Sequence, residues 1–239
     1  MTFNIIGFIL PEITIAIGIC SVILVNSLVK KITPGFIHGL ILLFLSLGLF
    51  FSFVSLEIPD NIIFNGHYAI DSFGTNLKII ALIAAILVHL SSVKSKQNIK
   101  NEIFLIQLFA TLGVLILCSA KNLLTVYLGL ETLTLSMYGI VASNRNSIDA
   151  TESAMKFFVL GAIASAIFLY GISILYGVTG TLSLDTIKGS LMLDTLEMRV
   201  AVAFIACGII FKFGAFPFHS WVPDSYQGSN TTAAIYVSS

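Results

Sequence analysis

The chain is a succession of long apolar runs separated by short polar segments, and this pattern limits what it can fold into. A helix needs about 20 apolar residues to cross the roughly 30 Å hydrocarbon core of a membrane. Seven runs approach or reach that length, at about residues 4–29, 35–56, 72–93, 102–120, 122–143, 153–178 and 198–216, and an eighth begins near Thr231. The runs are continuous, whereas membrane strands alternate apolar and polar residues. The pattern therefore predicts an all-α, polytopic membrane helix bundle of about seven full transmembrane helices plus the start of an eighth.

The composition supports a membrane protein and excludes several soluble classes. Charged residues make up 10% of the 239 residues, against roughly 25% in a soluble domain. Twelve basic residues balance twelve acidic ones, so the chain lacks the basic surface by which proteins bind nucleic acid. It also lacks the sequence motifs of a P-loop, a dinucleotide site or a zinc protease. Its three cysteines lie far apart in apolar runs, which predicts neither a disulfide framework nor a metal site.

The loop charges predict the orientation of the bundle. With the N-terminus outside, the cytoplasmic loops carry six basic residues and the external loops carry three, a bias that favours this orientation. The six are Lys30, Lys31, Lys94, Lys96, Lys100 and Arg145, and the three are Lys121, Lys188 and Arg199. No basic residue precedes Lys30, and Pro11 and Glu12 interrupt the first run. These features favour a retained first span over a secretory signal peptide.

Glu131 lies in the middle of the fifth run, where a charge costs at least about 2.5–3.5 kcal/mol. Tyr127, Thr134 and Tyr138 are spaced so that they share its helix face. A carboxyl group there takes up and releases protons if burial and a nearby cation balance each other. The alternative is a structural glutamate that is hydrogen-bonded across a helix contact.

Lys212 lies near the end of the seventh run, shortly before Pro217. A proline removes one backbone donor and crowds the carbonyl four residues earlier, so the sequence predicts a broken helix just after Lys212. Broken spans occur where they face protein or a water-filled cavity, which favours an ion pathway beside this lysine. The alternative is a lysine that snorkels at a helix end. His219 follows as a candidate proton relay at the mouth of the pathway, or as an interfacial histidine.

Four further polar residues in the runs give weaker signals. Lys156 and Lys78 lie near the starts of their runs, where a lysine can snorkel or act in proton transfer. His38 and His89 lie near span ends, where interfacial histidines are expected.

Four segments resemble the antiporter-like membrane subunits of respiratory complex I. ATLGVLILCSAKNLLTVYLGLETLTLSMYGIVA resembles their fourth and fifth spans, and YAIDSFGTNLKIIALIAAILV resembles the third. ESAMKFFVLGAIASAIFLYGISILYGVTGTL resembles the sixth span of the subunit N family of bacterial NADH-quinone oxidoreductase, whose mitochondrial counterpart is NADH dehydrogenase subunit 2. IIFKFGAFPFHSWVPDSYQG resembles the seventh, broken span. The resemblance runs from about residue 65 to the C-terminus.

This resemblance implies a proton-translocating subunit that couples electron transfer from NADH to quinone to proton pumping, with no redox centre of its own. Glu131 and Lys212 match the buried glutamate and lysine of the family, and Lys156 matches the lysine of the sixth span. The family implies that NADH, quinone, FMN and iron–sulfur clusters act in other subunits. The implied partners are the other membrane and peripheral subunits and the lipid bilayer. The implied location is the bacterial plasma membrane, favoured over the inner membrane of an organelle.

The length departs from the family, whose members have about fourteen spans in two inverted repeats. The resemblance implies helices 1–3 in residues 1–100 and an incomplete first antiporter-like repeat, helices 4–8, in residues 101–239. The chain is then a fragment, one half of a split subunit or a defective product. Two other functions remain open: a subunit of a related cation/proton antiporter or membrane-bound hydrogenase, and a non-conducting structural fragment.

Overall fold

The computed structural model describes residues 9–28, 34–94, 101–143, 147–190 and 195–228, together with residues 234, 235 and 237. Within these ranges the chain forms nine α-helices and one short β-hairpin. The helices are α1 (Leu10–Leu28), α2 (Pro34–Ser55), α3 (Ser72–Lys94), α4 (Asn101–Cys118), α5 (Leu123–Val141), α6 (Ile148–Thr179), α7 (Leu184–Ser190), α8 (Leu196–Lys212) and α9 (Trp221–Gly228). The predicted membrane helix bundle is confirmed.

Five helices are long and apolar enough to cross a membrane, namely α1, α2, α3, α5 and α6. The fourth and seventh predicted spans coincide with α4 and α8, which are shorter. The count of seven full spans therefore stays a prediction. The start of the eighth span at Thr231 lies outside the described residues, as do Lys30, Lys31, Lys96, Lys100 and Arg145. The orientation drawn from those loop charges likewise stays a prediction.

A β-hairpin between α2 and α3 was not expected from the sequence. Strands β1 (Asn61–Ile63) and β2 (Tyr68–Ile70) pair antiparallel around a short 3-10 turn. Asn65 and Gly66 in that turn have φ values of 54° and 89°. An Asn-Gly pair adopts positive φ more readily than other residues, and it is the local signal that could have predicted this hairpin.

Helices α1 to α4 share one apolar core. Ile15, Ile41, Leu82, Phe104 and Leu108 are each at most 2% exposed and belong to this cluster. Helix α4 also packs closely against α5. It therefore contacts both sides of the division predicted near residue 100, and that division stays a prediction.

Glycines allow the close approach of α4 to α5. A Cβ atom at Gly113 would lie 2.7 Å from the backbone nitrogen of Leu133 and 2.9 Å from the carbonyl oxygen of Gly129. Small residues let membrane helices pack backbone to backbone. This contact fixes the helix that carries Glu131.

A second glycine contact joins α6 to α8. A Cβ atom at Gly171 would lie 2.9 Å from the backbone nitrogen of Ile205 and 3.0 Å from the carbonyl oxygen of Ala201. On the facing helix, a Cβ at Gly208 would meet the Cβ of Phe168 at 2.5 Å. The close approach of α8 to α6 brings Lys212 to the centre of the bundle.

The predicted break after Lys212 is present. Helix α8 ends at Lys212, Gly214 has a φ of 60°, and α9 begins only at Trp221. The Trp221 Nε1–H donates to the carbonyl oxygen of Phe211 at 3.0 Å, and its ring stacks on Phe157 of α6. The helix after the break is thereby held against both α8 and α6.

The glycine contact between α6 and α8 predicts a specific loss of stability. We expect Gly171→Ala to destabilise the chain by about 1–3 kcal/mol, because the added methyl group meets backbone atoms that cannot move aside. The measurement is the temperature at which the detergent-solubilised host complex loses this chain.

Gly177→Ala on the same helix is the matched control, since nothing lies within 4 Å of a Cβ placed there. It should leave stability equal or raise it by up to about 1 kcal/mol, because alanine favours helices over glycine. Equal effects of the two substitutions would contradict the account of this contact.

Candidate functional site

Glu131 of α5 and Lys212 of α8 come together inside the bundle, with Ser165 of α6 between them. The Ser165 hydroxyl donates to Glu131 Oε1 at 2.5 Å, and Lys212 Nζ donates to the Ser165 Oγ at 3.1 Å. Lys212 Nζ lies 3.5 Å from Glu131 Oε1. The side chains of Glu131 and Lys212 are 21% and 11% exposed. Three helices thus place an ammonium group, a hydroxyl and a carboxylate in one line of hydrogen bonds.

The local structure of each helix explains why these side chains meet. Asn122 caps the start of α5, and its side chain accepts from the backbone N–H of Leu124 at 2.9 Å. An amide at this position satisfies a donor that the first turn leaves free. Glu131 then lies near the middle of α5, while Lys212 is the last residue of α8 before the break.

The polar stripe predicted around Glu131 faces α6 and α8. Thr134 accepts from Lys212 Nζ at 3.0 Å and donates to the carbonyl oxygen of Leu130. Tyr127 stacks on Phe168 of α6, and Tyr138 packs edge-on against Phe157 of the same helix. The helix spacing correctly identified the face, and Thr134 contributes to the site directly.

Lys156 lies apart from this group of residues. Its Nζ pairs with Glu152 at 2.8 Å and with Asp224 of α9 at 3.2 Å, and about half of its side chain is exposed. These contacts join the start of α6 to the helix after the break. The described contacts of Lys156 do not include Glu131 or Lys212.

His219 lies between α8 and α9, and it is exposed. Its ring neighbours that of Phe216, with 5.8 Å between the centroids. The described contacts of His219 do not join it to Lys212. Its role as a relay therefore stays a prediction.

Sequence reasoning missed Ser165, which bridges the two charges. A lone serine in an apolar run carries no signal of its own, because serines in helices commonly bond to their own backbone. Ser52 and Ser92 do so here. Only the packing of α6 against α5 and α8 distinguishes Ser165 from them.

Sequence reasoning also missed a second buried ion pair. Lys78 Nζ lies 2.7 Å from Glu12 Oε1, and the two side chains are 4% and 7% exposed. The expectation of a snorkelling Lys78 is wrong, since a snorkelling lysine keeps its ammonium group in water.

The expectation of an interfacial histidine is wrong for His89. It is 2% exposed and packs inside the bundle beside His38, with 5.4 Å between the ring centroids.

Within the described ranges, no three or more histidine, cysteine, aspartate or glutamate residues lie together as a metal site requires. The two interior lysines that the structure describes, Lys78 and Lys212, are each paired with a glutamate, and a hydroxyl bonds to both members of each pair.

A family model described as NADH:quinone oxidoreductase/Mrp antiporter, TM, matches residues 120–239, which is half of the chain. The matched segment contains Glu131, Ser165 and Lys212. A relative from Ruthia magnifica subsp. Calyptogena magnifica, named NADH-quinone oxidoreductase subunit N, is 37% identical over 238 residues. That alignment covers 96% of this chain and 49% of the relative. The chain therefore spans about half the length of the curated relatives that it matches.

Solved structures share the fold. A chain of respiratory complex I from Thermus thermophilus with bound aureothin superposes with a TM-score of 0.79 at 29% identity, covering 95% of this chain and 49% of that one. A chain of the Mrp complex from Dietzia sp. DQ12-45-1b gives a TM-score of 0.80 at 16% identity, covering 98% and 46%, which shows the fold alone. With a family model that matches half of its length, the chain belongs to the transmembrane family of NADH:quinone oxidoreductase and Mrp antiporter subunits, and the resemblance predicted from its sequence is confirmed.

Proposed function

We propose that this chain forms part of a proton-translocating membrane subunit of NADH-quinone oxidoreductase, with Glu131 and Lys212 as its proton-carrying pair. The observation that carries this proposal is the hydrogen-bonded line from Lys212 through Ser165 to Glu131. The relatives named subunit N support the choice of complex. No redox centre is assigned to this chain. NADH, FMN, the iron–sulfur clusters and quinone belong to the complex as a whole.

Ser165 makes the pair a path for a proton. A hydroxyl donates one hydrogen bond and accepts others, so it can receive a proton from Lys212 while it passes its own to Glu131. The transfer converts an ammonium and a carboxylate into an amine and a carboxylic acid. The net charge inside the bundle is zero before and after, which avoids the cost of an unpaired buried charge.

The charge pair also provides the coupling to the rest of a complex. Unit charges 3.5 Å apart attract by about 5 kcal/mol at an effective dielectric constant of about 20, and desolvation of the pair offsets part of this. A charge that approaches or leaves either residue changes this balance. Such a change drives the proton between Lys212 and Glu131, and it links this pair to events in neighbouring subunits.

Lys156 and His219 extend the pathway towards the surface in this proposal. Lys156 and Ser165 are nine residues apart on α6, which corresponds to about 13.5 Å along the helix. The carboxylates of Glu152 and Asp224 beside Lys156 are exposed enough to exchange protons with water. His219 lies in the break that follows Lys212, and its imidazole acts as the relay at the mouth of this path.

The proposed setting is a multi-pass subunit of a bacterial plasma membrane, with its N-terminus outside. Its partners are the other membrane and peripheral subunits of the complex and the surrounding lipid. Residues 101–239 supply the first antiporter-like repeat in this proposal, and helices 1–3 precede it.

A related cation/proton antiporter or membrane-bound hydrogenase subunit, or a non-conducting structural fragment, is the competing function. The match to the Mrp complex at 16% identity supports a shared fold and no more. NADH-driven proton movement that depends on this chain separates the proposal from these alternatives, since an antiporter moves protons against another cation and a structural fragment moves none.

The test is Glu131→Gln in the host membrane complex, because glutamine keeps the shape of the side chain and cannot ionise. We expect proton flux through this subunit to fall by roughly 100-fold, the lower range for the loss of a positioned proton-transfer group. The measurement is NADH-driven proton uptake by membrane vesicles, with assembly checked on native gels.

Glu102→Gln makes the same change at an exposed glutamate in the first turn of α4, and it should leave proton uptake unchanged. Normal proton uptake in an assembled Glu131→Gln complex would contradict the proposed function.

Ser165→Ala tests the hydroxyl between the two charges. We expect a loss of roughly tenfold in flux through this subunit, smaller than for Glu131→Gln, because both charges remain 3.5 Å apart and a water molecule can bridge them. Ser46→Ala, which removes an exposed hydroxyl bonded to its own helix, is the control. Equal proton uptake in the Ser165 and Ser46 variants would exclude Ser165 from the pathway.

A further inference from the structure

A second lysine, hydroxyl and carboxylate group lies outside the Glu131 site. Glu12 of α1, Tyr68 of β2 and Lys78 of α3 form it, and all three residues are less than 9% exposed. The Tyr68 hydroxyl donates to Glu12 Oε1 at 2.5 Å, and Lys78 Nζ donates to the Tyr68 hydroxyl at 2.8 Å. Lys78 Nζ also contacts Glu12 Oε1 directly at 2.7 Å. The arrangement repeats that of Lys212, Ser165 and Glu131, with a phenol in place of the serine.

The carboxylate of Glu12 has an acceptor that the described residues do not use. Its Oε2 atom is buried and has no hydrogen-bond partner among them. A buried acceptor without a partner costs free energy. A water molecule that donates to Oε2, or a proton bound there, would remove that cost.

Among the described residues, two other ionisable side chains lie near this cluster, Cys118 and Asp71. The Cys118 thiol at the end of α4 lies close enough to Lys78 and Glu12 to interact electrostatically with both. Asp71, which precedes α3, accepts instead from the backbone N–H of Gly74 at 2.7 Å. Burial and the adjacent Glu12 raise the pKa of Tyr68 above its ordinary value, so Tyr68 remains a phenol that both donates and accepts.

The cluster is built onto the start of the helix that carries Glu131. The backbone N–H of Ala69 donates to the carbonyl oxygen of Ser119 at 2.8 Å, and that of Lys121 donates to the carbonyl oxygen of His67 at 3.1 Å. These bonds fix the hairpin to the residues just before α5. Glu131 lies nine residues beyond Asn122, about 13.5 Å along the helix.

We propose that Glu12, Tyr68 and Lys78 form a second proton-exchange site, at the end of the bundle where α1, α3 and α5 begin. In one step a proton leaves Lys78 Nζ for the Tyr68 oxygen while the Tyr68 proton moves to Glu12 Oε1. The products are an amine, an intact phenol and a carboxylic acid, so net charge is conserved and no electron moves. A hydrated proton from this end of the pathway is then taken up at Glu12 Oε2 while the Oε1 proton returns through Tyr68 to Lys78. The cluster gains one proton and one positive charge in this step, and it loses both when Oε2 gives its proton back to water. The inference rests on the proposed function, since it adds a site to that pathway.

A purely structural ion pair is the competing explanation, and a double substitution separates the two. Removal of one charge leaves the other buried and unpaired, which destabilises a protein whatever the role of the pair. Glu12→Gln combined with Lys78→Met removes both charges and keeps the volume. A structural pair replaced in this way is often neutral for stability.

We expect the double variant to assemble in the host complex and to lower NADH-driven proton uptake at least about twofold, since its proton-carrying groups are gone. The control is Lys121→Met combined with Asp185→Asn, which removes a partly exposed pair at the same end of the bundle and should leave proton uptake unchanged. Unchanged proton uptake in the assembled double variant would overturn the inference.

Tyr68→Phe decides the question if the double variant fails to assemble, because it keeps both charges and the ring and removes only the bridging hydroxyl. We expect lowered proton uptake with normal assembly, and normal uptake would overturn the inference.

Glu131→Gln is measured beside these variants. If it lowers uptake and they do not, only the second site fails. If Glu131→Gln has no effect, the proposed function itself fails.

Discussion

An ionised side chain inside a membrane bundle must be paired, because an unpaired charge there costs several kcal/mol. The structure meets this requirement for both interior lysines among the residues that it describes. Lys212 lies beside Glu131, and Lys78 lies beside Glu12. In each case a hydroxyl bonds to both charged groups. The same arrangement that makes the charges tolerable is the basis of the proposed proton transfer.

The backbone arrangement follows from the need to bring these groups together. Glycine contacts let α4 approach α5 and let α6 approach α8. The break after Lys212 ends α8 where its last side chain reaches the centre, and Trp221 ties the following helix back to Phe211. Without the close approach of α8, Lys212 would not reach Ser165. The stability of the helix contacts and the function of the site are therefore coupled.

Local sequence patterns predicted much of this structure. The apolar runs correctly located the long helices, and Pro217 correctly predicted the break after Lys212. The isolated charge of Glu131 indicated a side chain that the structure places beside Lys212. A charged residue in an apolar run costs free energy inside a membrane, so it can be recognised from the sequence without knowledge of its neighbours in the fold.

What the sequence did not predict depends on contacts between distant segments. Ser165 resembles any serine that bonds to its own helix, and Glu12 only interrupts an apolar run. Lys78 near the start of its run matched a snorkelling lysine as well as a buried one. The packing of α1 and α3 against the hairpin determines that Lys78 is buried, and a local sequence pattern does not predict that packing. The hairpin itself could have been predicted from Asn65 and Gly66.

The central claim is that Glu131 changes its protonation state as the complex works. The most direct measurement is an infrared difference spectrum of the host membrane complex, recorded as NADH is added. The account predicts a carbonyl stretching band of a protonated carboxyl group that changes on addition of NADH and is missing from the Glu131→Gln complex. Identical spectra from the two complexes would contradict it.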